Sequence, residues 1–137
     1  MSELKVDVLV IGWGKAGKTI AGRLAGEGRK VALVERSPQM YGGACINIAC
    51  VPTKDLIASA QQRRPQDDPQ EYFTQAVAGR DSLIGKLNAA NHRMLEGQAE
   101  LVDGTARFIG PRKVAVDTAD GELIITAQTV VLGTGAV

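Results

Sequence analysis

The chain has one histidine, two cysteines, one tryptophan and few aromatic residues of any kind, 4% in all. A single histidine excludes a histidine-rich metal site. Two cysteines exclude a disulfide scaffold and a four-cysteine zinc site. Charge of one sign is also lacking: 16 Lys and Arg against 15 Asp and Glu leave a formal net charge of +1. Without a strongly signed field, nucleic-acid backbone binding is not expected as its main business. No apolar run approaches the roughly 18 residues of a membrane-spanning helix, so no membrane partner is expected. The start, MSELKVDVLVIGWG, does not read as a secretory signal. Its apolar run contains Asp7, ends at Gly12 and has no small-residue cleavage site. A soluble, cytoplasmic chain is therefore expected, and in a reducing compartment a close cysteine pair reads more readily as redox-active than as structural. At 137 residues the length suits one domain with a modest core. Glycine is what the chain has in excess: 16 residues, about 12% against an average of about 7%.

Val6 to Ile11, VDVLVI, is a short β-branched run that ends at a glycine and reads as a buried strand. Lys15 to about Glu27 reads as a helix with Ile20, Ala21 and Leu24 on one face. Val31 to Glu35, VALVE, is a second buried strand, so the three make a βαβ unit with parallel strands and a right-handed crossover. Ala44 to about Gln62 reads as helical, interrupted early by Pro52. Arg63 to Gln70, with two prolines and four charges, reads as a surface loop. Glu71 to Leu95 reads as a long helix with an apolar stripe of Phe73, Val77, Ile84, Leu87 and Met94. The period then changes. Ala99–Val102, Ala106–Ile109, Lys113–Asp117, Glu122–Ala127 and Thr129–Leu132 read as short strands, with a hairpin signal at Asp120-Gly121. A strand and glycine turn with nothing after them leave the sheet unfinished, so an incomplete domain is expected.

Gly12-Trp13-Gly14-Lys15-Ala16-Gly17 matches G-x-G-x-x-G. The first glycine permits a tight strand-to-helix turn. The second lets a pyrophosphate approach the backbone, and the third lets helix and strand pack closely. Lys15 opens a helix whose free N–H groups face the phosphates. Glu35, 18 residues after Gly17 at the end of the second strand, is where a carboxylate reaches a ribose 2′-hydroxyl, and it argues against a 2′-phosphate there. A dinucleotide site is expected.

Cys45 and Cys50 stand five residues apart. On a regular helix that is about 7.5 Å of rise and about 140° of rotation, with Cα atoms about 8.7 Å apart. A disulfide tolerates about 7 Å, so a bridge requires a backbone other than plain helix between them. Gly42 and Gly43 before the pair and Pro52 after it supply reasons for distortion. Lys54 falls four residues after Cys50, on the same helical face, where an ammonium favours the thiolate. On spacing alone, two unconnected thiols with a surface Lys54 read equally well.

The whole run Gly42 to Lys54, GGACINIACVPTK, resembles the signature of the pyridine nucleotide-disulfide oxidoreductases, which include glutathione reductase, dihydrolipoamide dehydrogenase and mercuric reductase. GKAGKT, MYGG, CINI and PTK are most similar to the reactive-chlorine-resistance flavoprotein branch. The resemblance implies an α/β, Rossmann-like FAD-binding domain with a parallel sheet, helices and a small antiparallel β-meander. Residues 1–137 would be its amino-terminal part, with the nicotinamide and dimer-interface domains absent and weak or no FAD retention alone. It implies a Cys45–Cys50 redox disulfide, with Cys45 attacking substrate, Cys50 facing the flavin and Lys54 tuning both. Gly12, Gly14, Lys15, Gly17, Glu35, Gly42 and Gly43 would hold FAD. Gly104-Thr105-Ala106 is similar to a G-x-A segment that contacts adenine, and Leu132-Gly133-Thr134-Gly135 to an A-T-G segment that closes this stretch. The intact enzyme, a homodimer, would pass electrons from NAD(P)H through FAD to the disulfide, and then to a small-molecule disulfide, metal ion or oxidant.

Three positions depart from the family pattern. Ala44 replaces a cofactor-bonding threonine, Gly133 replaces an alanine, and Ala49 replaces a glycine, which implies strain if φ is positive there. The other reading is a dinucleotide-binding module, or an inactive fragment, with inert cysteines. His92 reads as an ordinary solvated helix residue, Trp13 as incidental and Arg63-Arg64 as a solvated pair. Asp67-Asp68 lacks the further oxygens of a calcium loop, and no metal site is expected.

Overall fold

The computed structural model describes residues 2–136. Strand β1, Ser2–Ile11, leads through the glycine turn into helix α1, Lys15–Gly26, and back to strand β2, Val31–Glu35. Every residue of VALV in β2 is buried, as a strand covered on both faces requires. Helix α1 ends where Gly28 takes φ +86° and the N–H groups of Gly28 and Arg29 donate back to the carbonyls of Ala25 and Leu24. A 3-10 turn at Pro38–Met40 precedes helices α2, Ala44–Asn47, and α3, Cys50–Gln62, and the long helix α4, Pro69–Arg93. Strands β3, Glu100–Asp103, β4, Thr105–Gly110, β5, Lys113–Thr118, and β6, Gly121–Leu132, complete the fold.

All six strands form one sheet in the order β3-β2-β1-β6-β5-β4. β1 pairs parallel with β2 and β6, and β2 pairs parallel with β3. β4, β5 and β6 form the antiparallel meander. Alternation along β2 divides the core: Ala32 and Val34 pack with Leu9, Val114, Val116 and Ile125, whereas Val31 and Leu33 pack with Val10, Ala21 and Leu95. No helix among the described residues is long and apolar enough to cross a membrane. With β1 central and its neighbours reached in opposite directions, the glycine turn lies at the switch point where open α/β sheets take ligands.

Several boundaries differ from the sequence reading, each for a local reason. β1 starts at Ser2 because residues 2–6 pair with 123–127 of β6. The two runs read on either side of Gln128 are one strand, continuous because β1 pairs along nearly its full length. Pro52 does not interrupt a helix. It lies in the first turn of α3, where a missing N–H costs nothing, and the break falls earlier, at Ile48 and Ala49. α4 starts at Pro69, with the Asp68 side chain capping the Glu71 N–H at 2.8 Å. Arg64 is solvated as expected, its side chain 69% exposed, and it also holds Asp67 from its backbone N–H at 2.9 Å and its guanidinium at 3.1 Å. The apolar stripe of α4 is covered only in part: Val77, Ile84 and Leu87 are half-buried, but Phe73 and Met94 are each 60% exposed.

Candidate redox and dinucleotide site

The glycine turn is built by contacts that admit no side chain. A Cβ on Gly12, at φ +104°, would lie 2.1 Å from the carbonyl oxygen of Gly133, and one on Gly17 would lie 2.4 Å from the carbonyl oxygen of Gly12. The first contact locks the end of β1 to the segment after β6, with the Gly133 N–H donating to Ile11 at 2.8 Å. It also brings the Thr134 backbone beside Gly12. Thr134 and Gly135 themselves are exposed. Gly14 is different: nothing occupies the space its Cβ would take. Directly after it α1 opens at Lys15, with no side-chain cap and no acidic residue in its first turn. Open backbone, free N–H groups and adjacent lysine are what a pyrophosphate needs.

Glu35 ends β2 beside that loop. One carboxylate oxygen accepts from the Trp13 N–H and the other from the Ser37 N–H, both at 3.0 Å. Its carbonyl accepts the Gly104 N–H at 2.9 Å, which brings the 104–106 segment to the same edge. Ala106 is half-buried against the core and pairs with Val116.

The cysteine segment is fastened to the same loop. Gly42 and Gly43 take φ +94° and +81°, and a Cβ on Gly43 would lie 2.7 Å from the Gly14 Cα. α2 then carries Cys45, and α3 begins with Cys50. The backbone between the cysteines is therefore not plain helix. Ala49 takes φ −124° and ψ −93°, so the strain expected of a positive φ does not arise. Both cysteines are exposed free thiols. The Cys45 thiol is held above its ordinary pKa, first by its side-chain hydrogen bond with Cys50, while the Lys15 ammonium pulls it the other way. The cation felt at Cys45 thus comes from the glycine loop. Lys54 instead lines, with Cys50, Val51, Asp55 and Leu83, a depression of about 360 Å³.

Two groups of residues escaped the sequence reading. Trp13 is not incidental. It is buried, 1% exposed, with Tyr41 and His92 ring centroids 4.6 and 5.5 Å away. His92 is accordingly half-buried, packed on Trp13 over one face and still 31% exposed, and its Nδ1 lies 3.0 Å from Glu96. The Tyr41 hydroxyl donates to both Asp103 oxygens, at 2.6 and 2.7 Å, and burial followed by that carboxylate pushes its pKa far up. The second group is amides: Asn47, Asn88 and Asn91 brace the Gly42-Gly43 turn. Adjacent glycines followed by an asparagine between two cysteines were the available signal.

Residues 6–137 match the family described as pyridine nucleotide-disulphide oxidoreductase. The chain is 38% identical over 134 residues to the probable pyridine nucleotide-disulfide oxidoreductase RclA of Escherichia coli, covering 96% of this chain and 29% of that protein. It is 35% identical to glutathione reductase of Schizosaccharomyces pombe, covering 94% of this chain and 31% of that protein. A solved Cu(II) complex of RclA, described as an HOCl-induced flavoprotein disulfide reductase, superposes with a TM-score of 0.88 at 38% identity, over 97% of this chain and 29% of that one. The chain therefore spans about three-tenths of the relatives it matches. The family's description carries the pyridine nucleotide and that of RclA the flavin, the two cofactors expected from the motifs. A glycine loop and a cysteine pair joined by one backbone contact, on a sheet superposing on such a reductase, place this chain in the pyridine nucleotide-disulfide oxidoreductase family.

Proposed function

We propose that the chain is the amino-terminal part of the FAD-binding domain of an NAD(P)H-dependent flavoprotein disulfide oxidoreductase, and that Cys45 and Cys50 are its redox pair. The contact between Gly14 and Gly43 carries this reading, because it ties the thiol-bearing helix to the dinucleotide loop. Gly12, Gly14, Lys15 and Gly17 would hold the pyrophosphate of FAD and Glu35 its ribose. Gly42, Gly43, Ala106, Thr134 and Gly135 would border the cofactor. When bound, FAD supplies two-electron chemistry beside the cysteines.

The protein's own step is thiol exchange. Cys45 as thiolate attacks a substrate disulfide, forms a mixed disulfide and releases one substrate thiolate. Cys50 then attacks the Cys45 sulfur, releases the second thiolate and closes the Cys45–Cys50 disulfide. Two electrons pass from the dithiol to the substrate. Lys15 favours the attacking thiolate, and Lys54 beside Cys50 would tune the second sulfur. The substrate is a small oxidised molecule: a disulfide, a metal ion or a small oxidant. The last two classes are supported by the Cu(II) complex and HOCl induction of the similar RclA. A recycled dithiol suits the reducing cytoplasm, and the intact protein would be a homodimer.

The test is a thiol titration of the chain before and after mild oxidation, with an FAD titration followed by emission of Trp13, its only tryptophan. Both thiols should vanish together, return with a dithiol reductant, and Trp13 emission should fall on FAD addition. Independent, slow alkylation of each cysteine would overturn the redox reading. Because the chain alone is expected to hold FAD weakly, the titration is carried to concentrations that fill a weak site, and unchanged emission there would overturn the cofactor assignment.

A further inference from the structure

Asn47 lies between the two cysteines and is buried, 8% exposed, with both amide N–H groups and its oxygen hydrogen-bonded. Its Nδ2 donates to the carbonyls of Tyr41 and Gly43, at 2.8 and 2.9 Å, and so fixes the glycine turn to α2 from within. Its Oδ1 accepts from Nδ2 of Asn88 on α4, at 3.0 Å. The same Asn88 nitrogen donates to the Pro38 carbonyl at 3.1 Å, before the turn. One α4 amide thus grips the cysteine segment at two points nine residues apart in sequence. Asn91, one helical turn further on, takes Lys18 Nζ on its Oδ1 and covers Gly42 so closely that a Cβ there would lie 2.9 Å from it.

The grip sets where the first sulfur sits. Cys45 lies in a helix of four residues, too short to hold its own shape. Its position is fixed by what fastens its ends, and Asn47 in the last turn is the fastening. A dithiol whose sulfurs are held together bridges with less loss of chain entropy than a loose one.

We propose that Asn88 is a positioning residue for the cysteine pair: through Asn47 it holds Cys45 against Cys50 and so favours the bridged state. The inference rests on the redox reading above and adds α4 to it. Asn88 touches neither sulfur.

The experiment is the exchange equilibrium of the chain with glutathione: protein dithiol plus glutathione disulfide gives protein disulfide plus two glutathione thiols. It is run on wild type, Asn88→Ala, Asn88→Asp and Ala78→Gly. Asn88→Asp keeps the volume and removes the donor, so it stands in if the alanine variant fails to fold. Ala78→Gly weakens α4 at an exposed position far from Asn47. Both Asn88 variants should lower the exchange constant by about two- to tenfold, the range of one hydrogen bond, and Ala78→Gly should leave it unchanged. Wild-type constants in both Asn88 variants would overturn the proposal and leave the redox reading standing. An equal fall in Ala78→Gly would also overturn it, as general loosening. A wild-type chain that forms no internal disulfide would overturn both readings.

Discussion

Gly43 rests on Gly14 backbone to backbone, so close that a single added carbon on Gly43 would lie 2.7 Å from the Gly14 Cα. Gly43 also takes φ +81°, which alone costs a side chain about 1–2 kcal/mol. Gly43→Ala therefore meets two obstacles, and neither can relax without separating the cysteine helix from the dinucleotide loop. It should lower unfolding stability by at least about 1–2 kcal/mol, the backbone share alone, and should also weaken FAD binding. Gly26→Ala is the control, since Gly26 has a helical backbone and open space at its Cβ. Urea denaturation of the two variants checks the first expectation, and the FAD titration checks the second.

Thiol reactivity should report the opposing influences on Cys45. Only the thiolate alkylates, so a raised pKa means slower reaction at a given pH. Cys50 raises the Cys45 pKa through its hydrogen bond and charge, and Lys15 lowers it. Cys50→Ala should therefore shift the pH profile of Cys45 alkylation to lower pH and speed the reaction near neutrality. Lys15→Met should shift it to higher pH. Iodoacetamide rates from pH 6 to pH 10 check both signs, and a Lys15→Met profile matching wild type would remove Lys15 from the site.

Local signals carried the parts of this site that are local. VALVE reads as a buried strand because nothing interrupts it, and the turn at Gly12 reads as a turn because its glycines are obligatory there. The pitch of a helix and the reach of a disulfide required a break between Cys45 and Cys50 only if the two bridge, and the sequence put the interruption at Pro52, whereas it falls at Ile48 and Ala49. What stayed hidden depends on residues far apart in sequence. Nothing near His92 says that Trp13 and Tyr41 will meet it, and asparagines on a helix ordinarily face water. Asn47 becomes structural because the turn exposes the Tyr41 and Gly43 carbonyls, Asn88 because it meets Asn47 and the Pro38 carbonyl, and Asn91 because it packs on Gly42. Phe73 and Met94 show the reverse error: their period fits a buried stripe, but the fold of residues 2–136 leaves them exposed.

The Tyr41–Asp103 bond should be visible in alkali. A phenol with a raised folded-state pKa contributes stability that is whole below the ordinary value of 10.0 and is lost as pH rises through its folded-state value. Ultraviolet titration of the folded chain should show one of its two tyrosines ionising late, and Tyr41→Phe should abolish that component. Asp103→Asn should bring it only part of the way back, because burial is the largest single cause and persists. The same substitution keeps an acceptor oxygen but loses its charge, and should cost about 1 kcal/mol of stability near neutral pH, the difference between a charged and a neutral acceptor.

Arg112 offers the opposite kind of test, a substitution that should help. Among the described residues it is the one non-glycine with positive φ, +56°, in the turn from Gly110 to Lys113 that joins β4 to β5. The turn cannot relax freely, because the Arg112 carbonyl accepts the Ala127 N–H of β6 at 3.0 Å. A side chain in this region costs about 1–2 kcal/mol, whereas glycine returns about 0.4–1 kcal/mol through the freer unfolded chain. Arg112→Gly should therefore raise stability by about 0.5–1 kcal/mol net. The gain should appear as a higher urea midpoint with an unchanged slope. Arg112→Ala removes the charge and keeps the strained backbone, so it should give no gain. Equal gains in the two variants would assign the effect to the guanidinium and not to φ.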